Sequence, residues 1–477
     1  MQHQIPNMLN TLSKRFLLLF SLVFGFTQLQ AQQLQPLGMK DAVRIGLENY
    51  GTIKAKNDQL KSAKAQLTET KTEYLPDLTL SAQNVYGTIN GQNGPAYGFG
   101  GYATAASGPA LGSQNWNAAF GSLYVANVNW NFFAFGRYKE KTLVQGRVVD
   151  IDASDLNQER FEEEVRVASA YLNDMVAQQL VKANYDNLFR SIQVQKVVLA
   201  RVKNGLNPGV DSSLANAQVA NAQIAYIQSQ ETEKEQATVL SQYLGSDLKS
   251  FELDSTFVTK VPINIYQPSQ VNFADHPVLQ YYNNIIKQSD EQAKYLSTFS
   301  YPTFTLFGLY QGRGSGFKSG YSTDPFDYNF NSSYGAGADP TRYNYLLGVG
   351  VTWDFTTILR THFQVQAQKF IADENRDTYN LQSQNLRDEQ QLAETKIVNA
   401  VNAYNEAPVE VKAASDAYKQ KFALYQNGLA TIIDFQEALY ALNRAEVDQA
   451  IASNSLWQAL LYKAGATGDF NIFINNF

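Results

Sequence analysis

The sequence predicts an α+β membrane protein built twice over, each half carrying two membrane-type strands and a pair of very long antiparallel helices. Three observations predict it. Trp130, Phe132, Arg137, Asn204, Gly205, Leu206, Asp211 and Ala222 recur as Trp353, Phe355, Arg360, Asn427, Gly428, Leu429, Asp434 and Ala445, every pair 223 residues apart. Upstream, Leu75-Pro76 aligns with Tyr301-Pro302, and Leu80 with Leu306, at an offset of 226. A constant spacing over this length marks duplication of one supersecondary unit. The other two observations are four segments of period-two alternation and two 67-residue helical runs.

Residues 1–31 read as a secretory signal peptide: Lys14-Arg15 as the charged region, Phe16 to Phe26 as the apolar core, and Leu29-Gln30-Ala31 before the cleavage site. Its eleven apolar residues are too few to cross about 30 Å of hydrocarbon as a helix, and no later run is longer. The chain is thus expected to be exported and to lack a spanning helix. A net charge of −6, made more acidic by removal of that segment, argues against nucleic acid as a partner. The absence of cysteine excludes disulfides, thiol chemistry and a lipidated N-terminal Cys.

Gly38 to Tyr74 has the apolar period of a helix, which Pro76 ends. Asp77 to Gly87 then alternates Leu78, Leu80 and Ala82 with Thr79, Ser81 and Gln83. Gly121 to Phe132 sets Tyr124, Val128 and Trp130 against Asn127, Asn129 and Asn131. In the second half, strands are expected over 302–311 and 345–355, after a helix over Pro277 to Phe299. Strands of about ten residues, apolar on one face and aromatic at their ends, fit an outer-membrane barrel. The Gly-, Asn-, Ser- and Tyr-rich stretches 88–119 and 312–344 suit its outer loops.

Arg137 to Lys203 and Arg360 to Gln426 are each 67 residues, about 100 Å as helices at 1.5 Å per residue. Pro408 is the one strong breaker in the second and should kink it. Shorter helices return over 211–244 and 434–464. In the first half, the opening and returning helices together match the long one, so they should stack end to end along it. The segments 246–272 and 466–477 would elaborate that junction. The expected organisation is a signal peptide (1–31), a first repeat (32–245), an equatorial linker (246–272), a second repeat (273–465) and an equatorial tail (466–477).

Four strands cannot close a barrel, and open edges in lipid leave backbone groups unpaired. A dimer supplies eight strands, too narrow for a conduit, and a trimer twelve. The chain is therefore expected to be a homotrimer.

The tip segments Lys203-Asn-Gly-Leu-Asn-Pro-Gly-Val-Asp211 and Gln426-Asn-Gly-Leu-Ala-Thr-Ile-Ile-Asp434 each precede an Ala/Gln/Leu-rich returning helix. On these residues the whole mature chain resembles the TolC family of outer-membrane efflux proteins. The resemblance implies a trimeric, shared 12-stranded barrel continuing into a periplasmic α-barrel, in the outer membrane of a Gram-negative bacterium. It also implies a non-enzymatic exit duct that needs no cofactor. Its partners would be outer-membrane lipid, a periplasmic adaptor (membrane fusion protein) and an inner-membrane RND or ABC transporter. The alternative, a passive porin-like channel, has no need of 67-residue helices.

No nucleotide loop, metal spacing or nucleophile elbow appears, and His276 and His362 lie on separate segments. Gly205 and Gly428 are expected to end helices in the left-handed region. By the resemblance, Asn204, Gly205, Leu206, Asn427, Gly428 and Leu429 form the adaptor-docking turns. Tyr425 and Asp211 match a tyrosine–aspartate link that holds the periplasmic end shut, and Asp434 and Glu437 match its acidic ring. Ala430 stands where the family can place an arginine, a departure from the ion-pair lock.

Overall fold

The computed structural model describes residues 36–91, 110–247, 250–258, 260–262, 265, 272–325 and 329–477. The expected signal peptide lies outside them. Two helices, α1 (Met39–Asn49) and α2 (Gly51–Thr72), lead to strand β1 (Asp77–Thr88) and its partner β2 (Ala118–Phe133). The long helix α3 (Arg137–Lys203) and the returning α4 (Gly209–Leu244) complete the first repeat. The second repeat runs through α5 (Pro277–Ser297), β3 (Thr303–Ser315), the short α6 (Tyr334–Ala338), β4 (Arg342–Thr352), α7 (Phe355–Gln426) and α8 (Ile432–Thr467). A last turn, α9 (Asn471–Ile474), follows.

Three expectations are corrected. The opening helix is not continuous from Gly38 to Tyr74: Tyr50 is extended (φ −61°, ψ 126°) and divides α1 from α2. Its ring packs 6.2 Å from that of Tyr243 and lies beneath the Arg166 guanidinium at 5.6 Å. Tertiary packing of one aromatic, followed by the weak helix former Gly51, overrides the helical period. The last strand sits earlier than 345–355, because Asp354 caps the next helix. Its carboxylate accepts from Thr356 N at 3.0 Å and from the hydroxyls of Thr356 and Thr357, both at 2.7 Å. Phe355 therefore begins α7, which is 72 residues long rather than 67 and stays helical through Pro408. The third strand extends to Ser315 instead of ending at 311.

The chain forms two compact units, and each draws on both repeats: Met1–Lys54, Glu159–Asn272 and Leu386–Phe477 in one, Ala55–Gln158 and Phe273–Asn385 in the other. The second unit holds a four-stranded antiparallel sheet in the order β1-β2-β3-β4. Its register puts Leu80, Ala126, Tyr310 and Tyr345 in one row and Leu78, Val128, Gly308 and Leu347 in the next. That face is apolar from edge to edge. Ser81, Asn127, Thr305 and Gly350 lie on the other, where Thr305 donates to Asn131 across the strands at 2.7 Å. Phe307 lies over Gly348, leaving no room there for a Cβ, which would sit 2.6 Å from the ring. The edge strands β1 and β4 are exposed almost throughout, Leu80 at 75% and Leu347 at 73%.

In the first unit the end of α4 abuts the α1–α2 break, and not the start of the opening helix as its full length would place it. A Cβ on Gly245 (φ 58°) would lie 3.1 Å from that of Asn49. Leu37 bridges Leu253, and the buried Tyr171 hydroxyl ties both strands down, donating to Leu37 O at 2.6 Å and accepting from Asp254 N at 3.0 Å. Phe257 packs on Trp457 (5.0 Å) and Phe477 (4.6 Å), so segments 250–258 and 466–477 share one core.

Asp174 of α3 is fully buried here, one carboxylate oxygen unpaired and the other 3.5 Å from Gln178 Nε2. Burial, reinforced by nearby Glu233, pushes its carboxyl up to about 7. A raised folded value means that stability is greatest below the unfolded value near 3.8 and is lost as pH rises through about 7. Burial raises Glu163 and Glu164 in the same direction. Asp174→Asn should therefore remove one proton's share of the slope, about 1.4 kcal/mol per pH unit between pH 5 and 7. Chemical denaturation across that range checks it, and an unchanged slope would refute it.

Candidate functional site at the helical tips

Both helix-to-helix turns are Schellman closures. Gly205 and Gly428 have φ of 73° and 75°. Gly205 N donates to Val202 O at 3.0 Å and Leu206 N to Arg201 O at 2.9 Å. Gly428 N donates to Tyr425 O at 3.1 Å and Leu429 N to Leu424 O at 2.9 Å. Carbonyls orphaned at the helix ends are thus satisfied. Asn204 N binds Ala200 O at 3.1 Å, and Asn427 Nδ2 binds Ala423 O at 2.8 Å. Leu206 and Leu429 are left pointing outward, 66% and 75% exposed.

The two hairpins meet on a small core of Val194, Val198, Ala215, Tyr425, Ile432 and Phe435. Tyr425 stacks on Phe435, ring centres 5.9 Å apart. Tyr425 and Asp211 are brought together, joined through Asn207. Asn207 Nδ2 donates to Asp211 Oδ2 at 2.7 Å and to the Tyr425 hydroxyl at 3.3 Å. Arg201 completes the network: its Nε donates to Asn207 Oδ1 at 2.8 Å, its Nη1 to Gln426 O at 2.6 Å, and its guanidinium lies 5.7 Å from the Tyr425 ring centre. Burial, then the Asp211 charge, raises the Tyr425 phenol, while Arg201 opposes both.

Arg201 and Asn207 were not singled out from the sequence as gate residues. The signal that exposes them is a break in the repeat. Their counterparts are Leu424 and Ala430, and that of Tyr425 is Val202, so this polar cluster exists in one register only. Arg201 places a cation in this cluster, whereas position 430 holds alanine.

Asp434 and Glu437 are not drawn into that cluster. Asp434 forms a reciprocal capping box with Thr431: its backbone N–H donates to Thr431 Oγ1 at 3.2 Å, and its carboxylate accepts from Thr431 N at 3.1 Å. The Thr431 hydroxyl, 2.7 Å from the carboxylate, then the Thr431 N–H, then Lys421 at 3.8 Å hold its carboxyl below the usual carboxylate range. Glu437 lies one turn further along α8 and is exposed. Among the described residues no His, Cys, Asp or Glu group could hold a metal ion, and His276 caps α5, its Nδ1 accepting from Val278 N at 3.2 Å.

An antiparallel four-stranded sheet with one apolar face, fed by helices of 67 and 72 residues that return through glycine turns, defines the TolC-type channel fold. Solved structures share it. The chain superimposes on CusC with a TM-score of 0.72 at 13% identity, over 94% of this chain and 96% of that one. It superimposes on the CmeC outer membrane channel of Campylobacter jejuni with a TM-score of 0.71 at 15% identity, over 90% and 85%. For the outer membrane protein VceC of Vibrio cholerae the TM-score is 0.69 at 16% identity, over 90% and 96%. No protein-family model and no curated protein matches the sequence. At these identities the likeness establishes the fold.

Proposed function

We propose that this chain is the outer-membrane exit duct of a tripartite efflux or type I secretion system. It is a homotrimer that passes substrate from a periplasmic adaptor and an inner-membrane RND or ABC transporter to the outside. The observation that carries this reading is the sheet. One continuous apolar face suits lipid, and the polar face suits a water-filled lumen. Both edges stand open, which neither water nor lipid tolerates in a long apolar strand. Three copies close those edges into one 12-stranded barrel. In this reading the chain acts as a conduit.

In this reading the glycine turns form the far periplasmic end and dock the adaptor through Asn204, Leu206, Asn427 and Leu429. Asp211, Asn207, Tyr425 and Arg201 hold the entrance shut, and Asp434 and Glu437 line it. Gly428→Val tests the assignment. A Cβ at Gly428 would meet only Arg201 Nη2, at 3.9 Å, so space is not the obstacle. The φ of 75° is, and a β-branched residue there costs about 1–2 kcal/mol. Efflux and adaptor crosslinking should fail while membrane insertion survives; intact resistance with intact crosslinking would place docking elsewhere.

A further inference from the structure

At the base of the sheet the two repeats make the same contacts at shifted positions. Trp130 Nε1 donates to Tyr74 O at 2.8 Å, and Trp353 Nε1 to Ser300 O at 3.2 Å. Leu75 N donates to Thr72 O at 2.9 Å, and Tyr301 N to Thr298 O at 3.3 Å. These pairs obey the offsets of 223 and 226 atom for atom. Equivalence at the base of the sheet is therefore structural as well as sequential.

Contacts that run from the first repeat to the second are not repeated from the second repeat onward among the described residues. Arg137 is the clearest case. Its guanidinium donates to Thr303 Oγ1 and Thr298 O, both at 3.2 Å, and to Tyr301 O at 3.4 Å, and it covers the Phe299 ring at 4.4 Å. Its counterpart Arg360 has local partners, the Thr356 hydroxyl at 2.9 Å and an ion pair with Asp354 at 3.6 Å, and 67% of its side chain is exposed. The positions equivalent to Thr298, Phe299, Tyr301 and Thr303 are Thr72, Glu73, Leu75 and Asp77. Carbonyl acceptors recur, and the phenylalanine and threonine have become carboxylates. All four residues are exposed in the single chain.

We propose that β4 of one copy pairs with β1 of the next in the register that β2 keeps with β3, clasped at its base by Arg360 on the neighbouring copy's Asp77. This rests on the trimeric duct proposed above and adds its register and its charged contact. The observed pair Asn129–Phe307 maps onto Thr352 opposite the neighbouring Ser81, and Tyr124–Gly312 maps onto Leu347 opposite the neighbouring Tyr86. The operation extends the apolar face without a break: Leu347 and Val351 meet Tyr86 and Ala82, and the polar Thr352 meets Ser81. The clasp converts an arginine–hydroxyl contact within the chain into an ion pair between chains.

The chain has no cysteine, so disulfide trapping has no background. In the full-length protein purified from membranes, Ser81→Cys with Thr352→Cys should give covalent dimers and trimers on oxidation. Thr79→Cys with Thr352→Cys should not, because a two-residue shift separates the Cβ atoms by about 7 Å, beyond the roughly 4 Å a disulfide spans. Crosslinking through Thr79 in place of Ser81, or a trimer by mass that crosslinks through neither, overturns this register and leaves the duct intact. Absence of any trimer removes both. Arg360→Glu should abolish the trimer band in mild detergent, and adding Asp77→Arg should restore it; failure of the double variant to restore it refutes the clasp.

Discussion

Asn207→Ala is expected to open the duct. The carboxamide of Asn207 uses both its donor and acceptor capacity, giving to Asp211 and Tyr425 and taking from Arg201. Alanine strands a carboxylate that is only 8% exposed and removes the acceptor of Arg201 Nε. Leaving a buried charged group short of a partner costs about 2–3 kcal/mol, twice or more an ordinary hydrogen bond. If the cluster holds the tips together, about 2 kcal/mol shifts the closed-to-open ratio roughly 30-fold. Planar-bilayer recordings should show it as a large rise in open probability. Tyr425→Phe deletes a single 3.3 Å bond and should shift the ratio far less, by about fivefold for roughly 1 kcal/mol. An Asn207 variant that behaves like wild type would show that the cluster is packing and not a latch.

The second large effect is on ion selectivity. Asp434→Asn with Glu437→Gln keeps size and removes charge. In a trimer the two positions place up to six carboxylates around one axis, and rings of this kind select cations. Crowding of like charges opposes full ionisation. Within each chain, however, Thr431 and Lys421 hold the Asp434 carboxyl ionised below the usual range. Cation preference should therefore persist on acidification through the ordinary carboxylate range before it fades. The double variant should lose that preference and its block by multivalent cations while remaining trimeric. Lys421→Met should strengthen the preference by removing the cation 3.8 Å from Asp434. Unchanged reversal potential and block in the double variant would return Asp434 to a purely local role as a helix cap.

How much of this was legible depended on whether a residue's partner lay nearby in sequence. The long helix from Arg137 to Lys203 has the bounds its periodicity predicts, and the left-handed glycines follow from turn chemistry that one segment encodes. Tyr50 breaks its helix for a reason no local pattern carries, the rings and guanidinium of Tyr243 and Arg166. Asp354 falls inside the expected strand 345–355, and its bonds to Thr356 and Thr357 make it a cap instead. At the tips, resemblance pointed to Tyr425 and Asp211, but the atoms that join them belong to Asn207 and Arg201. Those two were hidden because the repeat directs attention to positions that match, and they are positions where the halves differ.

The proposed duct requires three copies of this chain to share one barrel and continue as one conduit. Electron microscopy of the protein extracted from membranes in mild detergent tests it most directly. Threefold particles are expected, each with a single 12-stranded barrel of about 30 Å hydrocarbon span leading into a helical tunnel of roughly 100 Å. Compact monomers, or particles in which each chain closes a barrel of its own, would contradict it.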